Sequence, residues 1–452
     1  MFGKILIANR GEMAVRIVRA CRELGARTVA IYSQADADAL HVQLADERVC
    51  VGPAAPGASY LNVPNIISAA LNTGSDAIHP GAGFLAENAY FAEVCGRYHI
   101  AFIGPSPDNI RAMGDKTQAR RMAREAGLPV IAGSDCPVAD VNEAKDVARQ
   151  FGYPVMLKAV AGGGGRGIRP VMDAAELVAH FPLAQAEARS SFGNQDLYLE
   201  KLVEAPRHVE VQILADGQQS IHLGLRGCSI QRRFQKLVEE APAPNLPPHL
   251  QQRLAEAALR LARAVKYQSA GTAEFLLDRT DAFYFMEMNT RIQVEHPATE
   301  MVTGLDLVRL QIRIAAGEKL PVLQRDVGFS GHAIEFRIIA EDPARDFRPD
   351  AGVVRRASFP GGPGVRVDTH VTSGYEVPPY YDSLLAKLIV WGETRYVAIA
   401  RARRALAECA IEGPATNLPF HRLTVDDPAF ASGAYDGGYV AGALARAVGA
   451  AS

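Results

Sequence analysis

The stretch at residues 283–297 constrains the fold more than any other part of the chain. Successive side chains of an extended strand point to opposite faces of a sheet. If this stretch stays extended, apolar residues share one face and polar residues share the other, namely Glu287, Asn289, Arg291, Gln293 and Glu295. Such a row of carboxylates, amides and a guanidinium suits a metal ion together with an anionic substrate. The pattern therefore predicts a buried strand that brings ligands to a site, whereas a half-solvated strand, the simpler alternative, would not require these groups.

Length and composition place the chain among ordinary globular proteins of several domains. Its 452 residues exceed the usual size of a single core, so about two to four domains are expected. A net charge of −2 gives no general attraction to nucleic acid or to anionic membranes, and no apolar run approaches the ~18–20 residues that a membrane span needs. We therefore expect neither nucleic acid nor a membrane as a partner.

The cysteines and the N-terminal residues bear on the compartment. The six cysteines are scattered and form no Cys-x-x-Cys pair, which predicts reduced thiols rather than a disulfide framework or a zinc ribbon. We expect no signal segment, because the apolar run 2–8 passes directly into Asn-Arg-Gly. These features predict a cytoplasmic protein.

The first 114 residues alternate short apolar strands with helices. Strands are predicted at 4–8, 28–32, 76–78 and 100–103, and a helix at 11–24. This alternation is typical of a doubly wound, Rossmann-like parallel sheet, in which the loops after the strands face a ligand. The first predicted domain is therefore 1–114.

The rest of the chain is predicted to form four further units, so that the fold class is a multidomain combination of α/β and α+β. A helical linker occupies 115–130, within a helix predicted at 108–125. A small α+β unit follows at 131–203, a strand-rich unit at 204–330 and a second β-rich unit at 331–452.

A glycine loop in the small unit predicts phosphate binding. Lys158 lies on a predicted strand at 153–159, which leads into consecutive glycines at 162–165. Such glycines let backbone N–H groups approach phosphate oxygens, and the lysine supplies a positive charge for the same oxygens. The loop is neither a Walker A motif nor a dinucleotide fingerprint, and a plain flexible hairpin is the alternative. After a helix predicted at 174–181, the strand Leu197–Lys201 ends at a position suited to hold an adenine edge.

Two carboxylates are predicted to lie side by side on a hairpin. Glu274 and Glu287 lie on apolar strands separated by the turn-rich tetrad 278–281. With Asn289 they form an all-oxygen set suited to Mg²⁺ or Mn²⁺ bound to triphosphate oxygens. A solvent-exposed acidic pair is the alternative, but adjacent like charges among apolar neighbours would repel each other.

The lysine strand, the glycine loop, the second lysine and the acidic hairpin together resemble the ATP-grasp fold. The match narrows to the biotin carboxylase family, whose motifs are similar to residues 7–12, 79–81, 113–116, 207–210, 239–244 and 378–383. These motifs occur in order along nearly the whole chain. The resemblance implies an ATP-grasp lid at 131–203 and an ATP-grasp central domain at 204–330, between N-terminal and C-terminal biotin carboxylase domains.

The resemblance also implies a reaction. Bicarbonate would attack the γ-phosphate of ATP to give carboxyphosphate, and the carbon would then pass to biotin on a carrier protein, as in the first half-reaction of acetyl-CoA carboxylase or a related acyl-CoA carboxylase. ATP, Mg²⁺ or Mn²⁺ and bicarbonate are the implied cofactors, with biotin as the carried substrate. The implied partners are a biotin carboxyl carrier protein, carboxyltransferase subunits and a second copy of the chain in a homodimer. Because no Ala-Met-Lys-Met-type biotinylation motif occurs, we expect the carrier to be a separate polypeptide.

The same resemblance implies roles for individual residues. Glu295 would be the general base for bicarbonate and Arg337 would stabilise the biotin enolate, with Arg291 and Lys236 completing the catalytic set. The implied metal ligands are Glu274, Glu287 and Asn289. The implied bicarbonate contacts are Lys236, Arg291, Gln293, the Val294 backbone and Glu295. The implied ATP contacts are Lys116, Lys158, Gly163, Gly164, Gly165, Glu200, Lys201, Val203, His208, Gln231, Glu274 and Glu287.

Two positions on the acceptor side depart from the family pattern. Ala82 stands where tyrosine is usual and Phe234 where histidine is usual, while the implied biotin contacts are Arg337 and Ala82. One interpretation is an ATP-grasp carboxylase with an altered acceptor, and another is neutral drift within a working biotin carboxylase. A non-catalytic ATP-binding homologue is a third alternative, against which the complete metal and bicarbonate set argues.

Overall fold

The structure, a computed structural model, describes residues 1–134, 136–160 and 167–451. Its N-terminal part alternates strands and helices. In chain order these are β1 (Lys4–Ile7), α1 (Gly11–Glu23), β2 (Arg27–Ser33), α2 (Leu40–Leu44), β3 (Glu47–Gly52), α3 (Val63–Thr73), β4 (Ala77–His79), α4 (Ala89–Arg97) and β5 (Ala101–Phe102). The five strands form a parallel sheet in the order β3-β2-β1-β4-β5.

The N-terminal sheet is buried on both faces. Along β1, Ile5 and Ile7 belong to one apolar cluster with residues of α1, whereas Leu6 belongs to another with residues of α3 and α4. A short, continuously apolar strand is what a parallel sheet covered by helices on both sides requires. The predicted doubly wound domain is confirmed.

Two helices, α5 (Pro107–Gly114) and α6 (Lys116–Glu125), lie where the sequence predicts one. The break falls at Asp115, whose backbone is extended and whose carboxylate accepts hydrogen bonds from the N–H groups of Thr117 and Gln118. Asp115 therefore caps α6. A cap of this kind leaves the apolar spacing nearly unchanged, which is why the sequence predicts a single helix.

A small antiparallel sheet follows the two helices, in the order β7-β6-β8. Its elements are α7 (Val141–Phe151), β6 (Val155–Ala159), β7 (Ile168–Val171), α8 (Ala174–Phe192) and β8 (Leu197–Lys201). Strand β8 has the predicted bounds, but α8 continues past its predicted end at 181. It does so because Phe181, Ala184 and Ala188 pack at helical spacing against the sheet, which outweighs the helix-breaking tendency of Pro182.

One eight-stranded antiparallel sheet organises the rest of the chain, in the order β13-β12-β9-β10-β11-β14-β21-β19. The strands are β9 (Arg207–Asp216), β10 (Ser220–Arg232), β11 (Gln235–Ala241), β12 (Gln268–Leu277), β13 (Phe283–Asn289), β14 (His332–Ile339), β15 (Glu341–Asp342), β16 (Arg348–Pro349), β17 (Gly352–Val353), β18 (Arg356–Ser358), β19 (Val365–Thr369), β20 (Glu376–Val377), β21 (Leu384–Gly392) and β22 (Ala410–Glu412), of which β15–β18, β20 and β22 form two-stranded pairs. The helices are α9 (Pro248–Ala264), α10 (His296–Thr303), α11 (Leu307–Ala315), α12 (Arg395–Glu408), α13 (Leu418–Asp426), α14 (Pro428–Ser432) and α15 (Tyr439–Ala451). Because β11 pairs with β14, the sheet continues across the predicted boundary at 330/331.

The two faces of this sheet differ in its C-terminal half. Ile334, Phe336 and Leu388 point to one face, where they pack with residues of α12. Arg337 and Lys387 point to the other face, which α1 and α10 cover. The alternation of apolar and charged residues in β14 is therefore not that of a half-solvated strand, because both faces are covered.

The described residues carry two further global features. All six cysteines are free thiols, as predicted. Among the helices of the described ranges, none combines the length and the apolar character needed to cross a bilayer.

Candidate active site

A hairpin of β12 and β13 brings the two predicted metal-binding carboxylates together. Glu274 and Glu287 are directly opposite each other in the antiparallel register, so they share one face of the sheet. Asp278 stabilises the turn by accepting hydrogen bonds from the N–H groups of Thr280 and Ala282. The predicted hairpin is therefore observed.

The predicted row of five polar residues does not lie on a single strand. Strand β13 ends at Asn289, and residues 290–295 leave the sheet and lead into α10, with Glu295 at the N-cap position. The segment is held from the N-terminal part of the molecule, because Glu87 accepts hydrogen bonds from the N–H of Thr290 and from Nε of Arg291, both at 2.9 Å. The expectation of a continuous extended row is wrong beyond Asn289, since this tertiary contact replaces strand pairing.

The polar residues nevertheless converge on Glu274. Asn289 Nδ2 and Gln293 Nε2 each donate to Glu274 Oε1 at 2.7 Å. His208 Nε2 lies 2.8 Å from Glu274 Oε2, and Gln231 Nε2 lies 2.9 Å from the other ring nitrogen of His208. Burial disfavours the charged form of Glu274, but Lys236 and His208 outweigh it and hold the pKa of its carboxyl below the usual range.

Glu295 lies between two cations. Lys236 Nζ donates to Glu295 Oε1 at 2.6 Å, and Arg337 donates to Glu295 Oε2 at 2.9 Å. The carboxylate is only 2% exposed. Burial opposes its charge, yet Lys236, Arg337 and Arg226 hold the pKa of Glu295 well below its usual range. Glu295 is therefore ionised and able to accept a proton.

Three acidic residues of the site have no role in the sequence-based assignment. Glu210 accepts hydrogen bonds from Lys236 and Arg226, both at 2.5 Å, and Glu239 accepts one from Arg337 Nε at 2.6 Å. Both lie within the family motifs at 207–210 and 239–244, so their position in those motifs is a signal that could have identified them. The third, Glu87, lies beside no recognised motif, and only the fold brings it to Arg291.

The pKa of Glu239 is shifted in the opposite direction from that of Glu295. Burial raises the pKa of Glu239 to about 7, against the opposing effect of Arg337. Glu335 lies opposite Glu239 in the β11–β14 register and is fully buried. Burial raises the pKa of Glu335 well above its usual range. Arg337 is thus flanked by Glu295, whose carboxyl pKa is lowered, and by Glu239 and Glu335, whose carboxyl pKa values are raised.

Three of the predicted ATP-contacting lysines have separate partners. Lys158 and Arg120 both pair with Glu200, and although burial opposes its charge, these cations lower the pKa of that carboxyl. Lys116 Nζ lies 3.3 Å from Glu287, which links α6 to the acidic hairpin. Lys201 is held apart from both, because its Nζ donates to the carbonyls of Gly152 and Tyr153.

Several predicted residues take no part in these contacts. Val203 is half-buried in the segment after β8. Gly163, Gly164 and Gly165 lie outside the described residues. The carbonyl of Val294 accepts a hydrogen bond from Lys387 Nζ at 3.0 Å.

The two departures on the acceptor side lie in different surroundings. Ala82 is in the loop after β4, where its carbonyl accepts a hydrogen bond from Asn9 Nδ2 at 2.8 Å. Phe234 is 49% exposed and lies in the turn between β10 and β11 with a left-handed backbone (φ 65°). Neither position interrupts the contacts among Glu274, Lys236 and Glu295.

The residues present fit a divalent cation. Mg²⁺ and Mn²⁺ prefer carboxylate and amide oxygens, and the hairpin supplies such groups from Glu274, Glu287 and Asn289 on one face. The first of these carboxylates is ionised although buried. In the structure, Lys236 Nζ at 3.0 Å provides positive charge next to Glu274.

Comparison with known proteins agrees with this geometry. Three family models match: "Biotin carboxylase, N-terminal domain" over residues 1–110, "Carbamoyl-phosphate synthase L chain, ATP binding domain" over 115–323, and "Biotin carboxylase C-terminal domain" over 335–442. A biotin carboxylase from Nostoc sp. is 57% identical over 433 residues, which is 96% of this chain and 97% of that protein.

Two solved structures are similar over nearly the whole chain. The biotin carboxylase domain of 2-oxoglutarate carboxylase from Hydrogenobacter thermophilus, solved as a dimer with MgADP, ADP and bicarbonate, is 49% identical with a TM-score of 0.95, covering 98% of both chains. A biotin carboxylase from Campylobacter jejuni, solved as a β-γ-ATP complex, is 46% identical with a TM-score of 0.95, covering 98% of this chain and 99% of that one.

Proposed function

The chain belongs to the biotin carboxylase family, and on that premise we infer that it catalyses the ATP- and bicarbonate-dependent carboxylation of biotin. The observation that carries this inference is the buried Glu295 carboxylate, whose two oxygens contact Lys236 and Arg337. An ionised carboxylate can accept the proton of bicarbonate. The two cations beside it can stabilise the negative charge that develops on biotin. The relatives solved with MgADP, ADP and bicarbonate, or as a β-γ-ATP complex, support the same substrates.

We assign the first step to the groups around Glu295. Glu295 removes the proton of bicarbonate as a bicarbonate oxygen attacks the γ-phosphorus of ATP, so that carboxyphosphate forms and ADP leaves. Arg291 and Gln293 hold the bicarbonate oxygens together with the Val294 backbone, because a guanidinium can donate two parallel hydrogen bonds to an anion. Lys236 neutralises negative charge where bicarbonate meets the γ-phosphate of ATP.

The nucleotide is held by a second group of residues. We assign Lys116 and Lys158 to the phosphates, and Glu200, Lys201, Val203, His208 and Gln231 to the rest of the nucleotide. A divalent cation held by Glu274, Glu287 and Asn289 would neutralise the triphosphate and align it for attack. Phosphoryl transfer depends mainly on such positioning and charge neutralisation.

Arg337 is the group that we assign to the second step. A ureido nitrogen of biotin forms a bond to the carbon of carboxyphosphate as the bond from that carbon to the phosphate oxygen breaks; the departing phosphate takes the N–H proton, and negative charge develops on the ureido oxygen. Arg337, held by Glu239 and Glu295, is placed on the β14 strand where its guanidinium can stabilise that charge. Ala82 is our further assignment to the biotin side.

A changed acceptor has less support than biotin. Its basis is the pair of departures at Ala82 and Phe234, and Phe234 lies in an exposed turn, where substitution costs little. A non-catalytic homologue has less support still, because each charged residue of the set is present and paired.

We also propose the setting in which the chain works. The carrier is a separate biotin carboxyl carrier protein, carboxyltransferase subunits use the product, the chain forms a homodimer, and the compartment is the cytoplasm. A relative belongs to a 2-oxoglutarate carboxylase, so the final acceptor is an acyl-CoA or a 2-oxo acid. The domain limits at 114, 130, 203 and 330 likewise stay a proposal; the family-model limits lie near the first and the last of them.

The test is bicarbonate-dependent ATP cleavage, measured with and without free biotin. We expect ADP release to require bicarbonate and to rise when biotin is added. Cleavage that responds to bicarbonate but not to biotin would favour the altered acceptor, and absence of cleavage would favour a non-catalytic homologue.

A further inference from the structure

Lys387 is a charged residue in the interior of the molecule that the proposed reaction does not use. Its side chain is fully buried (0% exposed), and its Nζ lies 3.0 Å from Glu12 of α1 and 3.8 Å from Asp368 of β19. Burial of an ammonium group is unfavourable unless the group is paired and hydrogen-bonded. The contacts of Lys387 must therefore compensate for the burial of its charge.

One of these contacts reaches the candidate active site. Lys387 Nζ donates a hydrogen bond to the backbone carbonyl of Val294 at 3.0 Å. The carbonyl of Val294 and the N–H of Glu295 belong to the same planar peptide unit. A fixed carbonyl therefore fixes the positions of the N and Cα atoms of Glu295, from which its side chain leaves the backbone.

The segment around Val294 depends on such tethers because it is not part of a strand. Residues 290–295 lie between the end of β13 and the start of α10. Glu87 holds Thr290 and Arg291 at one end. At the other end α10 is anchored through Glu300, which accepts hydrogen bonds from Arg16 and Arg366. Lys387 holds the segment at Val294, between these two anchors.

The charge on Lys387 is maintained by its surroundings. Burial favours the neutral amine, but the neighbouring carboxylates of Glu12 and Asp368 outweigh it and raise the pKa of Lys387. Asp368 has a second cation, since Arg366 donates to both of its oxygens at 2.7 and 2.9 Å. Glu12 is thus the carboxylate whose charge is compensated most directly by Lys387.

We propose that Lys387 is a positioning residue for the carboxylation reaction: its buried ammonium holds the Val294 carbonyl and so places the Val294–Glu295 segment for bicarbonate. The inference rests on the proposed function, because it concerns the same site. In the proposed mechanism Lys387 contacts no substrate and acts only through the backbone of Val294.

The test separates positioning from stability with a compensated pair of substitutions. Lys387→Met alone leaves Glu12 buried without its cation, which is strongly destabilising. Glu12→Gln/Lys387→Met removes both charges together, and we expect it to unfold in denaturant near the wild-type midpoint. In both variants the hydrogen bond to Val294 is lost, so we expect the KM for bicarbonate to rise about tenfold while the KM for ATP changes by less than about twofold.

Two single variants serve as controls. Glu12→Gln keeps the Lys387 hydrogen bond, so its KM for bicarbonate should stay near the wild-type value. Glu240→Gln disturbs another ion-pair network, in which the fully buried Glu240 pairs with His332 and Arg395, and should lower stability without changing that KM.

Each result decides a different question. A folded double variant with the wild-type KM for bicarbonate would overturn the positioning role, as would a rise in both KM values together. If the wild-type protein itself shows no bicarbonate-dependent ATP cleavage, the proposed function fails and the inference fails with it.

Discussion

Each oxygen of Glu295 accepts a hydrogen bond from a different cation, Lys236 on one side and Arg337 on the other. This arrangement keeps the carboxylate ionised in the interior of the protein. It also makes the carboxylate a weak base until a substrate anion competes for the same cations. In the proposed reaction, Lys236 and Arg337 therefore both keep Glu295 ionised and respond to the substrate.

Glu295→Gln tests the base directly. The amide keeps the shape of the side chain but cannot accept the bicarbonate proton, so we expect bicarbonate-dependent ATP turnover to fall at least about 100-fold. Steady-state ADP release at saturating bicarbonate measures this. Mg·ATP affinity, measured by titration, should be nearly unchanged, and an equal loss of ATP binding would contradict the assignment.

Arg337→Ala tests the second step. Loss of the guanidinium removes the group that stabilises charge on biotin, so carboxylation of free biotin should fall about 100-fold while nucleotide binding is preserved. Carboxybiotin formation and Mg·ATP titration are the two measurements. Unaltered carboxylation would remove Arg337 from the mechanism.

At the scale of secondary-structure elements, the C-terminal half of the large sheet separates its charges by face. Strands β11 and β14 direct Glu239 and Arg337 towards the site, whereas the adjacent Glu240 pairs with His332 and with Arg395 of α12. The period of two along a strand makes this separation possible. Neighbouring glutamates can therefore serve catalysis and packing independently.

The ion pairs of Glu240 predict that the free energy of unfolding falls at acidic pH. Burial opposes its charge, yet His332 and Arg395 lower the pKa of Glu240 from 4.5 to about 2. A carboxyl whose pKa is lower in the folded state stabilises the protein above the unfolded-state pKa, and this contribution is lost as pH falls towards the folded-state value. Between pH 4.5 and 2 the wild-type protein should lose about 3 kcal/mol from this group.

Glu240→Gln supplies the comparison for that loss. The variant should be less stable at pH 7, and its free energy of unfolding should fall less steeply between pH 4.5 and 2. Urea denaturation at several pH values measures both quantities. Parallel curves for the two proteins would show that Glu240 does not carry the acid sensitivity.

At the scale of the whole molecule, the site is assembled from parts of the chain that are distant in sequence. Glu87 comes from the N-terminal part, Lys236 from the middle and Arg337 from the last third, and the segment 290–295 lies among them. Glu87 is a direct link between the N-terminal part and this segment. Changes in the packing of the N-terminal part should therefore reach the bicarbonate contacts.

Glu87→Gln tests this link. The amide cannot form the ion pair with Arg291, so we expect the KM for bicarbonate to rise a few-fold. The pair is partly exposed, so the free energy of unfolding should change by less than about 1 kcal/mol. Kinetics at varied bicarbonate and a denaturant titration are the measurements, and a wild-type KM would show that Arg291 does not depend on Glu87.

The sequence by itself determined the alternating N-terminal domain, the β12–β13 hairpin and the residue types of the site. Short-range patterns carry this information, because strand alternation, turn residues and ordered motifs act within a few residues of one another. The family resemblance also pointed to His208, Lys236 and Arg337, which surround Glu274 and Glu295. It left Glu210 and Glu239 without a role although both lie in its motifs.

Only the tertiary structure decided which charges meet. The segment 290–295 leaves its strand because Glu87 and Lys387 hold its backbone, and those residues lie about two hundred positions before it and about ninety after it. The charged positions of β14 resemble those of a solvated strand in sequence, and they are buried because α1 and α10 cover them. Burial and long-range pairing set the charge state of each carboxyl group, and both depend on the complete fold.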